Sequence, residues 1–153
     1  MLFLDRTDAG RRLALAAVGR RGLDPLVLAL SRGGVPVAEV LATAFGAELD
    51  VFFVRDLPLP GFPEVRLGAI AEGGGVFIDA HAMRDAGTVA EQLEQIAERE
   101  SAELARAMLF YRGAREPPVI AGRTVFLVDD VLTSPGRALA AVHSLRERGP
   151  HQL

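Results

Sequence analysis

The sequence contains no cysteine, no lysine and no tryptophan among its 153 residues. The absence of cysteine excludes disulfides, thiolate metal sites and a cysteine nucleophile, and it is typical of proteins in a reducing cytoplasm, where we expect this one. The absence of lysine means that every basic residue except histidine is arginine. Catalysis through a lysine Schiff base is therefore excluded, and so is a Walker-type phosphate loop, which needs its lysine.

Strong charge of one sign and long apolar runs are also missing. The net charge is −3 and there is no basic run, so we expect no nucleic-acid partner, because binding along phosphates needs clustered cations. No apolar run approaches the roughly 18 residues that cross a membrane. The start of the chain does not resemble a signal peptide, and we expect no membrane association. His81, His143 and His151 have no metal-binding spacing.

What the sequence does contain is an alternation of helical and strand patterns. Residues 26–30 form a short apolar run of the kind found in buried parallel strands. A glycine turn and a helical pattern follow, and then a second apolar run, which together predict one βαβ unit. The predicted helices cover residues 5–21, 35–45, 88–111 and 136–147, and the predicted major strands cover residues 26–30, 49–54 and 124–128.

A segment rich in proline and glycine, residues 57–63, interrupts this alternation and cannot be a central strand or a helix interior. Residues 67–71 and 76–79 then predict a hairpin. Glu64 and Glu72 flank this hairpin, and we expect both to be solvated loop acids. The sequence as a whole predicts a single α/β domain over residues 1–153, with three layers, a mostly parallel sheet, helices on both faces and a small hairpin insertion.

The most informative segment is the apolar run Val125–Val128, which ends in two adjacent carboxylates, Asp129 and Asp130. Ligands of open α/β sheets bind at the carboxyl ends of the strands, where this pair would lie. Carboxylates accept hydrogen bonds from the two hydroxyls of a ribose, and they also hold metal ions through water. A pair of acids that only caps the following turn is an equally simple interpretation.

The loop after the acid pair adds a second indication. Thr133, Ser134 and Gly136 precede a predicted helix, and a helix N-terminus with nearby hydroxyls is suited to an anion. A plain serine N-cap would give the same pattern. Carboxylates for a diol beside amides for a phosphate together indicate a sugar phosphate.

At this point the sequence resembles a known family, the type I phosphoribosyltransferases. The segment 125–134 is similar to their phosphoribosyl-pyrophosphate motif, which is an apolar strand, two acids, two variable residues and then hydroxyl and glycine residues. Residues 28–38 and 61–74 resemble, in the same order, two segments of one branch of that family. The resemblance covers nearly the whole chain and implies the phosphoribosyltransferase fold.

The resemblance also implies roles for individual residues. Asp129 and Asp130 would be the catalytic-site carboxylates that hold the ribose hydroxyls, and Arg32, Gly33 and Gly34 would lie against the pyrophosphate. The implied substrate is 5-phosphoribosyl 1-pyrophosphate, with Mg²⁺ that arrives bound to its pyrophosphate rather than in a protein cage. The implied reaction transfers the phosphoribosyl group to an unknown acceptor, commonly a base nitrogen, as in nucleotide metabolism.

The 5′-phosphate would be bound by Thr133, Ser134 and Gly136, but here the sequence departs from the family motif. Pro135 stands where a glycine amide should donate to phosphate, and proline has no N–H. Arg137 stands where a hydroxyl is expected, and its charge would compensate. Asp56 replaces a lysine that the related branch carries. An alternative function is therefore a degenerate homologue that binds a sugar phosphate or nucleotide, or regulates, without catalysis.

The family also continues through at least one more strand than this chain. This difference predicts a shortened fold with an exposed strand edge, and hence a homodimer, because exposed edges invite pairing.

Overall fold

The computed structural model describes residues 3–132 and 135–153. Within these ranges the chain forms two compact units. The first comprises residues 3–52, 118–132 and 145–153, and the second comprises residues 53–117 and 135–144. The single domain over residues 1–153 stays a prediction.

The helices and strands alternate along the chain as expected for the α/β class. In chain order they are α1 (Arg6–Ala17), β1 (Pro25–Ala29), α2 (Val35–Phe45), β2 (Glu48–Val51), β3 (Val54–Leu59), β4 (Phe62–Ala71), β5 (Val76–Ile78), α3 (Ala80–Asp85), α4 (Ala90–Arg112), β6 (Thr124–Val128) and α5 (Pro135–Glu147). A 3₁₀ turn over Val18–Arg20 extends α1. The short helix α3 is the one helix within the described ranges that the sequence patterns did not indicate.

The first unit is built on a parallel three-stranded sheet in the order β2-β1-β6. The central strand β1 is buried along its length: the side chains from Leu26 to Leu30 are at most 3% exposed. This is why its sequence is a continuous apolar run rather than an alternating one. The register pairs Leu26 with Val125 and Ala29 with Val128, so β1 and β6 end side by side.

One buried arginine fixes the opposite, amino-terminal edge of this sheet. Arg123, directly before β6, donates to Oδ1 of Asp24 at 3.2 Å and to Oε2 of Glu48 at 2.6 Å. Its side chain is only 11% exposed. A guanidinium with several donors in a fixed fork can bind more than one neighbour at once. Arg123 therefore ties together the beginnings of all three strands and supports their register.

Helices α1 and α2 pack closely against each other in the same unit. A side chain at Gly10 would place its Cβ 2.7 Å from Cβ of Val40, so only glycine allows this approach. Asp5 caps α1 by accepting a hydrogen bond from the backbone N–H of Asp8 at 2.7 Å. Val37, Ala38, Leu41 and Phe45 of α2 join the strands in one apolar core with Ala14 of α1.

The second unit contains an antiparallel sheet in the order β3-β4-β5. The predicted hairpin is confirmed as β4 and β5, and β3 adds a third strand to it. The predicted strand over residues 49–54 is divided, because residues 48–51 pair in the parallel sheet while Val54 begins β3. Pro58 lies on the edge strand β3, where the register shifts, which is where a sheet tolerates a residue without an N–H. The expectation that residues 57–63 stay outside a central strand is wrong at its end, because Phe62 and Pro63 begin β4, the middle strand of this sheet.

Two ion pairs join α4 to this sheet from a helix face that also carries Ile96 and Leu104. Glu100, whose side chain is 7% exposed, accepts from Arg55 at 2.8 Å. Arg112 and Glu72 form a pair with side-chain exposures of 5% and 2%, joined at 3.0 and 3.3 Å. The expectation that Glu72 is a solvated loop acid is therefore wrong.

We predict that Glu72→Gln destabilises the fold by about 3–5 kcal/mol, because it leaves the buried charge of Arg112 without its carboxylate. Chemical denaturation measures the change. Glu98→Gln is the matched control on the exposed surface of α4, and it should change the free energy of unfolding by less than about 0.5 kcal/mol. Equal, small effects of the two substitutions would contradict the assigned role of the pair.

Among residues 3–132 and 135–153, no helix is both long enough and apolar enough to cross a membrane.

Candidate functional site

The parallel register of β1 and β6 brings two of the predicted segments together. Because Ala29 pairs with Val128, the turn that follows β1 meets the acids that follow β6. A hydrogen bond from the backbone N–H of Leu30 to the carbonyl of Val128, at 2.8 Å, continues the pairing to this edge. The turn of residues 31–34 and the pair Asp129 and Asp130 thus lie side by side, in the position where parallel sheets bind ligands.

Ser31 is the residue that links the turn to the acids. Its hydroxyl makes a short hydrogen bond to Oδ1 of Asp129, and it accepts the backbone N–H of Gly34 at 3.0 Å. The same Oδ1 of Asp129 accepts the backbone N–H of Asp130 at 2.9 Å. One hydroxyl therefore orients Asp129 and closes the turn at the same time.

The two glycines of the turn are favoured by close approach rather than by unusual dihedral angles. Neither Gly33 nor Gly34 has a positive φ. A Cβ at Gly33 would lie 2.2 Å from Oδ2 of Asp130, and one at Gly34 would lie 3.0 Å from Cα of Asp129. The absence of side chains lets the acids sit directly against the turn.

Arg6, at the start of α1, contacts the second acid. Its Nε and Nη2 donate to Oδ2 of Asp130 at 2.9 and 2.7 Å. These bonds from the guanidinium hold the pKa of Asp130 below the ordinary value for an aspartate, against the opposing effect of desolvation. Asp130 is therefore ionised at neutral pH, although Asp129 lies beside it.

An open depression of about 450 Å³ lies against the acid pair. Its lining combines four apolar residues with four charged ones: Phe3, Ala9, Leu13 and Val37, and Asp5, Arg6, Asp129 and Asp130. An apolar surface with a few convergent polar groups is the usual character of a small-molecule site.

The remaining predicted residues have different positions. Arg32 is exposed on the turn. Thr133 and Ser134 lie outside the described residues. Gly136 and Arg137 lie in the first turn of α5, which begins at Pro135. Gly136 is buried and Arg137 is partly buried.

No group of three or more His, Asp or Glu side chains that could hold a metal ion occurs in the part of the chain that the structure describes. The acid pair offers two hard oxygen ligands, which alone make an incomplete shell for Mg²⁺, an ion that usually keeps water and substrate oxygens as its other ligands.

The sequence of residues 5–153 matches the family model of the phosphoribosyl transferase domain. The chain belongs to the phosphoribosyl transferase domain family. The match includes both the turn after β1 and the acid pair after β6, so the two segments that the fold brings together both lie within the family domain.

Individual relatives agree with this family. Two Mycobacterium tuberculosis proteins, from strains CDC 1551 and H37Rv, carry the name "Putative phosphoribosyl transferase" with the designations MT0597 and Rv0571c. Each is 36% identical over 152 residues, which is 99% of this chain and 34% of the relative. The chain thus spans about a third of the length of these curated relatives.

A solved structure shares the phosphoribosyl transferase fold seen here. The crystal structure of TT1426 from Thermus thermophilus is 38% identical, with a TM-score of 0.77. The likeness covers 98% of this chain and 71% of TT1426.

The sequence indicated the phosphoribosyl transferase motif, but it did not predict that Ser31 and Arg6 belong to the site. Ser31 had a local signal, since a serine hydroxyl commonly accepts a backbone N–H three residues further along the chain at a helix start, here that of Gly34. Arg6 had none, because it lies 124 residues from Asp130 and only the packing of α1 brings it to the site.

We predict that Gly33→Ala displaces the Asp130 carboxylate, weakens its contact with Arg6 and raises the pKa of Asp130 toward the ordinary value. Carboxyl chemical shifts followed by NMR across acidic pH measure this pKa. Because the folded-state pKa is lowered, the contact stabilises the fold above the unfolded-state pKa, and this contribution is lost as the pH falls through the folded-state value.

The stability cost of Gly33→Ala should stay below about 1 kcal/mol at neutral pH, as expected for a partly exposed ion pair. Gly19→Ala is the control, because a Cβ at Gly19 meets no atom within 4 Å. An unchanged titration of Asp130 in Gly33→Ala would show that the glycine does not determine the position of the carboxylate.

Proposed function

We propose that this phosphoribosyl transferase domain binds 5-phosphoribosyl 1-pyrophosphate with Mg²⁺ and transfers the phosphoribosyl group to an acceptor. The observation that carries the proposal is the junction of the turn 31–34 with Asp129 and Asp130, which a single hydroxyl holds together. A sugar pyrophosphate needs both kinds of group at one place: carboxylates for a diol, and a backbone turn at a helix N-terminus for phosphate oxygens.

The acids serve the sugar in this proposal. Asp129 and Asp130 accept hydrogen bonds from the 2′- and 3′-hydroxyls of the ribose, and charged acceptors make such bonds stronger than neutral ones. The ionised state of Asp130 matters here, because a protonated carboxyl would offer fewer acceptor sites. The ribose is thereby fixed with its anomeric carbon presented to the acceptor.

The turn serves the leaving group. Arg32 binds pyrophosphate oxygens through its guanidinium, and the backbone of Gly33 and Gly34 approaches them closely at the start of α2. The bond between the anomeric carbon and the pyrophosphate oxygen breaks, and the acceptor nucleophile forms a bond to the same carbon and releases its proton. The turn stabilises the negative charge that gathers on pyrophosphate in a transition state of oxocarbenium character.

In this proposal the 5′-phosphate is bound by Thr133, Ser134, Gly136 and Arg137. The Mg²⁺ belongs to the pyrophosphate of the substrate, and it would supply positive charge to the leaving group. Two carboxylates with no third acidic ligand among the described residues fit an ion that arrives already coordinated.

Titration calorimetry with 5-phosphoribosyl 1-pyrophosphate and Mg²⁺ tests the binding step. We expect the native protein to bind, and the variant Asp129→Asn with Asp130→Asn to bind at least about 100-fold more weakly, because two charged hydrogen bonds are each worth roughly 1.5–3 kcal/mol. Asp85→Asn, at an exposed position of α3, is the control and should bind as the native protein does. No heat from the native protein at millimolar ligand would refute the proposal.

A second candidate is a domain that keeps the fold and has lost phosphoribosyl transfer. Pro135 favours it, because this residue begins α5 without an N–H to offer a phosphate. Asp56 favours it less, because its charge is paired with Arg66 at 3.3 Å.

Pro135→Gly separates the two candidates. Under the leading proposal, the native protein binds 5-phosphoribosyl 1-pyrophosphate, and Pro135→Gly binds it no more than about 150-fold more tightly, since one added hydrogen bond to a charged phosphate contributes roughly 1.5–3 kcal/mol. Binding that appears only in Pro135→Gly would instead identify the native chain as a degenerate copy. Because proline is favoured at the first position of a helix, the substitution could weaken the start of α5. Circular dichroism checks that the helix content is unchanged.

A further inference from the structure

The contact between Arg6 and Asp130 uses only one of the two carboxylate oxygens. Both donors of the guanidinium, Nε and Nη2, bind the same oxygen, Oδ2 of Asp130. The other oxygen, Oδ1, has a 3.4 Å contact to the Ser31 hydroxyl. That hydroxyl has one proton and makes its short bond to Asp129. Oδ1 of Asp130 is therefore the acceptor that this arrangement leaves available to a ligand.

The backbone of Arg6 is held firmly on both sides. Asp5 caps the helix that begins at Arg6, and Asp8 accepts the backbone N–H of Leu4 at 3.1 Å, which fastens the segment entering the helix. Gly10, one turn further, packs against Val40 of α2. The Arg6 side chain itself is 58% exposed, whereas that of Asp130 is 17% exposed. A fixed backbone thus carries a cation to the Asp130 carboxylate at the surface.

The charges around Asp130 explain why such a cation is needed. Asp129 precedes Asp130 at the end of β6, and Asp5, which caps α1, lines the same depression. Arg32 stands on the neighbouring turn, and Arg6 places two donors directly on the Asp130 carboxylate. Without Arg6, Asp130 would lose the two donors that hold its Oδ2, and its carboxylate could rotate beside the other acids.

We propose that Arg6 is a positioning residue of the sugar site: it holds Oδ2 of Asp130 so that Oδ1 accepts a ribose hydroxyl. This role rests on the proposed function, since it concerns the same carboxylate. It makes the N-terminal helix part of the site without giving Arg6 a contact to the substrate. Residues that orient a ligand-binding carboxylate in this way commonly matter by about one order of magnitude or more in affinity.

Calorimetry with two probes tests this role, because one probe contains the sugar and the other does not. The probes are 5-phosphoribosyl 1-pyrophosphate and inorganic pyrophosphate, each with Mg²⁺. We expect Arg6→Ala to weaken binding of the sugar probe about tenfold and to change binding of inorganic pyrophosphate by less than about twofold. Arg6→Lys should recover part of the loss, since it restores the charge but not the two-donor contact.

Arg20→Ala is the matched control, since it removes the same charge from the exposed 3₁₀ turn after α1 and should bind both probes as the native protein does. A second readout is the pKa of Asp130, which should rise in Arg6→Ala and not in Arg20→Ala. If Arg6→Ala does not fold, Arg6→Lys decides, with weaker binding of the sugar probe expected and native binding overturning the role.

The other outcomes overturn the inference in distinct ways. Unchanged binding of the sugar probe by Arg6→Ala would reduce the contact to a surface ion pair. Tighter binding would show that Arg6 obstructs the site. An equal loss for both probes would show that Arg6 attracts the pyrophosphate rather than orienting Asp130. Absence of binding by the native protein would refute the proposed function, and this role with it.

Discussion

The pairing of β1 with β6 is the constraint on which the site depends. These strands lie far apart in the sequence, yet Ala29 lies beside Val128 in the sheet. A shift of this register by one residue would turn every side chain of β6 to the other face and would separate Ser31 from Asp129. The buried apolar faces of β1 and the Arg123 contacts at the opposite edge both oppose such a shift.

The negative charges of two adjacent carboxylates at a strand end repel each other, and hydrogen-bond donors within the first unit compensate for this repulsion. Ser31 donates to Asp129, and Arg6 donates to Asp130. The turn that contains Ser31 has no side chains at Gly33 and Gly34, so the acids reach the backbone without obstruction. The same features that relieve repulsion also orient the carboxylates. In the second unit, Arg112 and Glu72 form a more deeply buried pair that joins α4 to the antiparallel sheet.

The sequence was sufficient for α2 and β6, because a glycine turn, a first-turn proline and a short apolar run are local signals. It was insufficient where partners lie far apart in the chain. The run of residues 49–54 reads as one strand, but its ends pair in different sheets. In the sequence Glu72 resembles a loop acid, because its buried partner Arg112 lies forty residues away. Arg6 gave no signal, since only the packing of α1 on α2 carries it to Asp130.

The proposal that these residues form a sugar pyrophosphate site is tested most directly by a crystal soaked with 5-phosphoribosyl 1-pyrophosphate and Mg²⁺. We expect ribose hydroxyls within hydrogen-bond distance, roughly 2.5–3.0 Å, of Asp129 and Asp130. We also expect the pyrophosphate to lie against Arg32 and Gly33. Density for the ligand at a different place, with Arg6, Ser31 and both acids unchanged, would contradict the proposal.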